Sequence, residues 1–281
     1  MSAAEDGSPG PVHTRAGARR PTVPWPLGAP ALLAALFLLV PLLGMLVRAP
    51  WRGLPRILGD SHVGGALRLS LLCASAATAI SLVLGVPLAW VLARSRIRGI
   101  WLLRALVTVP LVLPPVVGGV ALLLAFGRRG ILGRYLEQWT GLTLPFTTAG
   151  VVVAETFVAM PFLVVTVEGA FRAVDQGFEE AAATLGASRM VTFRRVTLPL
   201  IGPSLLAGAL LCWARALGEF GATITFAGDF PGRTETMPLA VYLALENDPE
   251  AAVALSLVLL LVSVLVLAGL RDRWLRIGAP G

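Results

Sequence analysis

Between Ala29 and Val47 the chain runs through nineteen residues without a charge or a hydrogen-bonding side chain. Five more apolar segments follow, at about 64–93, 102–126, 148–170, 201–226 and 251–270. An α-helix needs roughly 20 apolar residues to cross the hydrocarbon of a bilayer. In lipid, each segment must also satisfy its own backbone N–H and C=O groups, which a helix does without partners. The expected fold is therefore all-α, a polytopic membrane helical bundle of six transmembrane helices. Composition agrees: 56% of residues are apolar and 14% charged, whereas soluble domains carry about a quarter charged. The first run lacks a small-residue cleavage site and reads as a retained span.

Two segments should be irregular. The second is too long for one straight span, and Gly85-Val86-Pro87 is a candidate kink. The third contains Pro110, Pro114 and Pro115, which remove backbone donors at membrane depth. Such a break is tolerated only where protein or a water-filled cavity satisfies the freed groups. Pro114 and Pro115 are thus candidate pore-lining positions, with a simple helix irregularity as the other reading.

The formal charge is +7, carried by arginine alone, since the chain has no lysine. With the N-terminus inside, 14 arginines fall in cytoplasmic segments and 7 outside. That bias favours cytoplasmic N- and C-termini and makes the basic charge a topology signal rather than a nucleic-acid surface. Residues 1–28 read as a disordered tail, 29–60 as the first span and outer loop, 61–270 as the core, and 271–281 as a C-terminal tail.

Several chemistries are excluded. Without lysine there is no phosphate-binding P-loop and no Schiff-base lysine. His-Glu-x-x-His is absent, and the two histidines, His13 and His62, lie outside the bundle interior. Cys73 and Cys212 sit in apolar segments and read as small core residues, with no disulfide or metal implied.

A polar, Ala-rich stretch interrupts the fourth and fifth segments: EEAAATLGASRMVTFRRVTLPL, residues 179–200. Asp175 is placed to cap a helix, with Glu179 and Glu180 in its favourable first turn. Gly186 suits the left-handed residue that ends it, and a second short helix can begin after Ser188. An amphipathic connector has much of this composition. The spacing is more specific: Glu180-Ala181-Ala182, three residues, Gly186, nine residues, Val196, one residue, Leu198-Pro199. It resembles the EAA loop of bacterial ABC importer permeases, departing only in Val196, where the family usually has Ile. The resemblance implies a type I ABC importer permease fold and an EAA loop at 172–200. Glu179, Glu180, Ala181, Ala182, Gly186, Val196, Leu198 and Pro199 would then couple to a separate ABC ATPase subunit. ATP would be used by that partner, with no cofactor in this chain and no enzyme activity of its own.

Residues 213–245, with Gly-Glu-Phe-Gly-Ala and Gly-Arg-Thr-x-Thr-x-Pro, resemble the matching segment of molybdate permeases. LVLPPVVGG resembles the third span of molybdate and sulfate/thiosulfate permeases. The likeness spans roughly residues 60–270 and implies oxyanion import, with molybdate favoured over sulfate, thiosulfate or tungstate. It further implies a pore built with a second permease subunit, expected as a homodimer, and a periplasmic or lipid-anchored oxyanion-binding protein. A proton-coupled secondary transporter is the rival of another class. Each charge moved against 100 mV costs about 2.3 kcal/mol, so a dianion entering a negative interior is opposed by about twice that.

Arg68, Glu155, Arg215 and Glu219 lie within the spans, in the outer half under this topology. Arg215 and Glu219 are four apart and share a helix face. Mutual pairing inside the bundle is expected because an unpaired charge in lipid is costly; a pore gate is the functional alternative. Asp229, Arg233, Glu235, Glu246, Asp248 and Glu250 form the candidate surface for the binding protein, or a solvated charged loop.

Overall fold

The structure, a computed structural model, describes residues 25–277. Among the described residues every regular element is helical. Helix α1 (Trp25–Val47) is a unit of its own, 23 residues long, and no residue of Leu27–Val47 is fully buried. At 1.5 Å per residue it is about 35 Å long, enough to span hydrocarbon. It starts before the expected Ala29; residues 1–24 of the expected tail lie outside the described residues.

The second unit begins at Arg48. A short α2 (Leu54–Leu58) leads to α3 (Ser61–Arg94), whose start is fixed by Asp60 accepting the His62 backbone N–H at 2.9 Å. Helix α3 runs for 34 residues with Pro87 inside it. Gly85 has a packing role: a Cβ there would lie 3.1 Å from Val164 Cγ2. The buried face of α3 is small, with Ser70, Ala74, Ala77, Ser81, Gly85 and Ala89. Helix α7 (Thr148–Ala173) packs along it with Ala159, Leu163, Val164 and Val167. Small residues let the two backbones approach closely where lipid supplies no hydrophobic drive for helix association.

The expected third span is two helices, α4 (Ile100–Val112) and α5 (Pro115–Phe126), interrupted at Leu113–Pro114. Helix α6 (Gly133–Thr140) follows, before α7. After α7 come α8 (Gly177–Thr184), α9 (Arg189–Thr192), a π-helical turn (Phe193–Thr197) and α10 (Leu198–Leu200). Helix α11 (Gly202–Leu217) departs from the preceding stretch at 74°. The fifth expected span also breaks, at 218–220, before α12 (Gly221–Ala227). Helices α13 (Met237–Asn247) and α14 (Pro249–Ile277) form a hairpin whose turn residue Asp248 accepts the N–H groups of Glu250 and Ala251. Helix α14 continues through most of the expected C-terminal tail, and residues 278–281 lie outside the described residues.

Among the described residues four helices are long and apolar enough to cross a membrane, five if the bent pair counts as one span. The third of the six expected spans breaks at its prolines, as expected, and the fifth breaks where no break was expected. The prolines explain the first break: Pro114 and Pro115 have no N–H to return to the preceding turn.

The two broken segments meet. A Cβ on Gly119 of α5 would lie 2.6 Å from Thr225 Cβ, and one on Gly221 of α12 would lie 2.8 Å from Pro115 Cβ. No side chain fits at either position, and that lets α5 and α12 lie against each other.

Candidate functional site

The polar stretch between α7 and α11 folds by rules local to its sequence. Asp175 Oδ1 accepts the Gly177 N–H at 2.9 Å, turning the chain into α8. At the other end, Gly186 takes φ +82°. Its N–H donates to the Ala183 carbonyl, and the Ala187 N–H to the Ala182 carbonyl, both at 3.0 Å. This pair of bonds is the Schellman arrangement, which needs a left-handed residue at that position. No atom comes within 4 Å of where a Gly186 Cβ would be, so glycine is required here by backbone conformation and not by space. Ser188 then caps α9 by accepting the Val191 N–H at 3.4 Å.

The resulting helix–turn–helix has two faces. Phe178, Glu180, Ala181, Leu185, Met190 and Val191 are exposed, Leu185 at 89%. Gly186 and Pro199 are exposed as well, while Ala182, Val196 and Leu198 are half-buried. Glu179 departs from the expectation that placed it beside Glu180 on one docking surface. Adjacent residues on a helix point about 100° apart, and Glu179 turns inward.

There it meets Arg94, in the last turn of α3, at 3.0 Å. The same carboxylate oxygen accepts the Thr197 hydroxyl at 3.1 Å. Arg94 also donates to the Val174 carbonyl, at the end of α7, at 3.4 Å. A cleft of about 390 Å3 beside this junction is lined by Trp90, Arg94, Glu179, Arg189 and Phe193. The Phe193 ring lies edge-on to Trp90 and tilted against Phe171, which fixes the π turn on α3 and α7. Nearby, Glu168 accepts from Arg104 of α4 at 2.9 Å and from Arg172 at 2.8 Å. Sequence reasoning missed Arg94, Arg104, Glu168 and Thr197. Only the Glu168–Arg172 pair, four residues apart on one helix, left a signal.

Inside the bundle, Arg215 and Glu219 pair at 2.5 Å as their spacing predicts. Glu219 also accepts the Ala222 N–H at 2.8 Å, so one carboxylate bridges the break between α11 and α12. The wider pairing expected of the four intramembrane charges is not formed. Glu155 is 1% exposed, and its Oε2 has no hydrogen-bond partner among the described residues, whereas Arg68 is exposed. Pro114 and Pro115 are exposed at the α4–α5 break.

At the opposite end from α8, the segment between α12 and α13 is knotted onto itself. The Phe230 carbonyl accepts the N–H groups of Arg233, Thr234 and Glu235, and the Thr234 hydroxyl donates to Gly228 while accepting from Phe230. Ser70 of α3 accepts the Met237 N–H at 2.7 Å. This is the physical content of the Gly-Arg-Thr-x-Thr-x-Pro pattern. Glu235 is corrected as a surface residue: it is buried and pairs with His62 at 3.1 Å. Burial raises the Glu235 carboxyl above its ordinary value and the His62 imidazole opposes this; Asp229, half-buried, is raised in the same way. Arg233, Glu246, Asp248 and Glu250 are exposed. A groove of about 680 Å3 between α2, α3, α13 and α14 has Arg56, Asp60, His62, Asp248 and Glu250 on its walls.

Residues 81–277 match the family described as binding-protein-dependent transport system inner membrane component. The molybdenum transport system permease protein ModB of Mycobacterium tuberculosis is 49% identical over 244 residues, covering 87% of this chain and 92% of that one. The sulfate transport system permease protein CysT of Salmonella typhimurium is 36% identical over 256 residues, covering 90% and 92%. Among solved structures, a bacterial ABC transporter for import of the acidic polysaccharide alginate superimposes with TM-score 0.71. It is 17% identical and covers 91% of this chain and 96% of that one, a likeness of fold.

Proposed function

Because the chain belongs to the binding-protein-dependent transport system inner membrane component family, we propose that it is the membrane-spanning permease subunit of an ATP-driven importer for molybdate. The observation that carries the coupling is the outward face of α8 and α9. Phe178, Leu185 and Met190 are large apolar side chains exposed on a polar connector, held by a glycine whose conformation alone fixes the turn. A patch of this kind marks a protein contact. A separate ATPase subunit binds it and consumes ATP, since a lysine-free chain has no P-loop.

In this reading residues 61–270 are the permease core, α8 faces the cytoplasm with both termini, and the α13 end faces out. Two copies build one pore, which gives the exposed proline break at 113–115 a protein or water lining in place of lipid. An external oxyanion-binding protein docks near Arg233, Glu246, Asp248 and Glu250. Arg215, Glu219, Glu155 and Arg68 are the charges a dianion meets on its way in. Molybdate is favoured over sulfate because relatives named for molybdenum transport match at higher identity.

The test is radiolabelled molybdate uptake in cells lacking their own transporter and carrying this permease with its ATPase and binding protein. Tungstate should compete, and a large excess of sulfate should not. Uptake that persists without the ATPase, or that follows sulfate, overturns the proposal.

A further inference from the structure

We propose that Arg94 is a positioning residue that transmits the movement of the coupling loop to α3. The inference rests on the docking role proposed for α8, and it concerns a side chain outside the docking motif. Arg94 is the last residue of a 34-residue helix, about 50 Å long. Its guanidinium is 10% exposed and reaches two elements directly, the Val174 carbonyl at the end of α7 and the Glu179 carboxylate in the first turn of α8. Through Glu179 it reaches a third, because the carboxylate oxygen that accepts Arg94 also accepts the Thr197 hydroxyl from the π turn. Thr197 is 1% exposed.

One carboxylate thus ties the two arms of the helix–turn–helix to each other and to the end of α3. The π turn makes this possible. Its wider ring carries the Leu198 N–H back to the Phe193 carbonyl, which places Phe193 against Trp90 and Thr197 under Glu179. A regular α-helical turn would rotate Thr197 away from that oxygen.

Mechanically, α8 alone is eight residues, too short to be rigid by itself. A force applied at Leu185 would bend an untied connector. Tied through Glu179, the connector moves with α3. At its other end α3 pairs His62 with Glu235 and accepts Met237 through Ser70. The same helix therefore holds the coupling loop at one end and the segment before α13 at the other. A pair of charges 10% and 25% exposed is dry enough to hold and wet enough to be re-made at each cycle.

The experiment uses the assembled transporter in liposomes with its binding protein, and measures molybdate taken up per ATP hydrolysed. Arg94→Gln should leave the ATPase bound, since every exposed docking side chain is untouched, and should lower uptake per ATP about tenfold. The exchanged pair Arg94→Glu with Glu179→Arg should recover the part of the loss carried by the ion pair, but not the part carried by the bond to the Val174 carbonyl. A merely structural role would lower the amount of folded transporter without changing that ratio. Thr197→Val removes one donor to the same oxygen and should lower the ratio about fivefold, so it serves if Arg94→Gln does not accumulate. An unchanged ratio in Arg94→Gln or Thr197→Val, or loss of the ATPase from Arg94→Gln, overturns the assignment. Leu185→Asp separates the two ideas: it should release the ATPase whatever Arg94 does, and if the ATPase stays bound the docking proposal itself fails.

Discussion

Gly186 offers a perturbation whose size follows from the structure with little else entering. Its φ of +82° is in the left-handed region, and an added Cβ would meet nothing within 4 Å. A substitution there therefore costs backbone strain and no packing. For a non-glycine residue that strain is roughly 1–2 kcal/mol, smaller for Asn and larger for a β-branched residue. The Schellman bonds from Gly186 and Ala187 depend on this conformation, so the chain escapes the strain only by breaking them. In an eight-residue helix few other bonds hold the C-terminal turn, among them those of the Leu185 N–H and the Thr184 hydroxyl to the Ala181 carbonyl. A 1–2 kcal/mol bias shifts the population of correctly ended α8 by about 5–30-fold. We expect the affinity for the ATPase, and ATP-driven uptake, to fall in the order Gly, Asn, Ala, Val at this position. Ala should lose about tenfold while the bundle stays folded. The assay is ATPase retention by the detergent-solubilised permease over a titration of ATPase, with melting temperature measured in parallel. Gly169→Ala, on α7 with equally open space and ordinary helical φ, is the control: it should leave ATPase retention unchanged and raise the melting temperature slightly, since Ala favours a helix over Gly. Equal binding by the Gly and Val variants would refute the claim that α8 must end in this way to dock.

Three further outcomes follow from the same geometry. Gly119→Ala places a Cβ against Thr225 and the Ala222 carbonyl, and should destabilise the α5–α12 contact by about 1–3 kcal/mol, read as a lower melting temperature that Thr225→Ala restores only in part. Glu219→Gln leaves Arg215 unpaired and weakens the bridge between α11 and α12. A loss of about 2–3 kcal/mol is expected, at the low end for a buried pair because Arg215 is 26% exposed, and larger than for Arg68→Gln. Glu235 and Asp229 have folded values raised above their ordinary ones, chiefly by burial. Their contribution to stability is full below the ordinary carboxyl value and is lost as pH rises through the raised one. Melting temperature should fall over that window, and Glu235→Gln should flatten the fall.

The residues that sequence located well are those whose role is set within a few positions of themselves. Gly186 and Ser188 do their work by bonding to backbone three residues away. Arg215 and Glu219 pair along one helix. Apolar length alone made the chain a membrane protein, because lipid leaves the backbone of a long apolar run no other partner. The absence of lysine excluded a phosphate-binding P-loop from this chain.

Tertiary structure decided what no local rule reaches. Glu179 and Glu180 are neighbours of equal charge, and only the position of Arg94, 85 residues away, turns one inward and leaves the other exposed. Glu235 read as a surface charge until α3 brought His62 against it. The prolines announced a break at 113–115, but not that Gly221 and Gly119 would let a second broken helix lie upon it. The physical reason is the same in each case. Hydrophobicity and backbone geometry act along the chain and are legible from it, whereas the partner of a buried charge and the fit of two glycine-lined backbones depend on which helices come together.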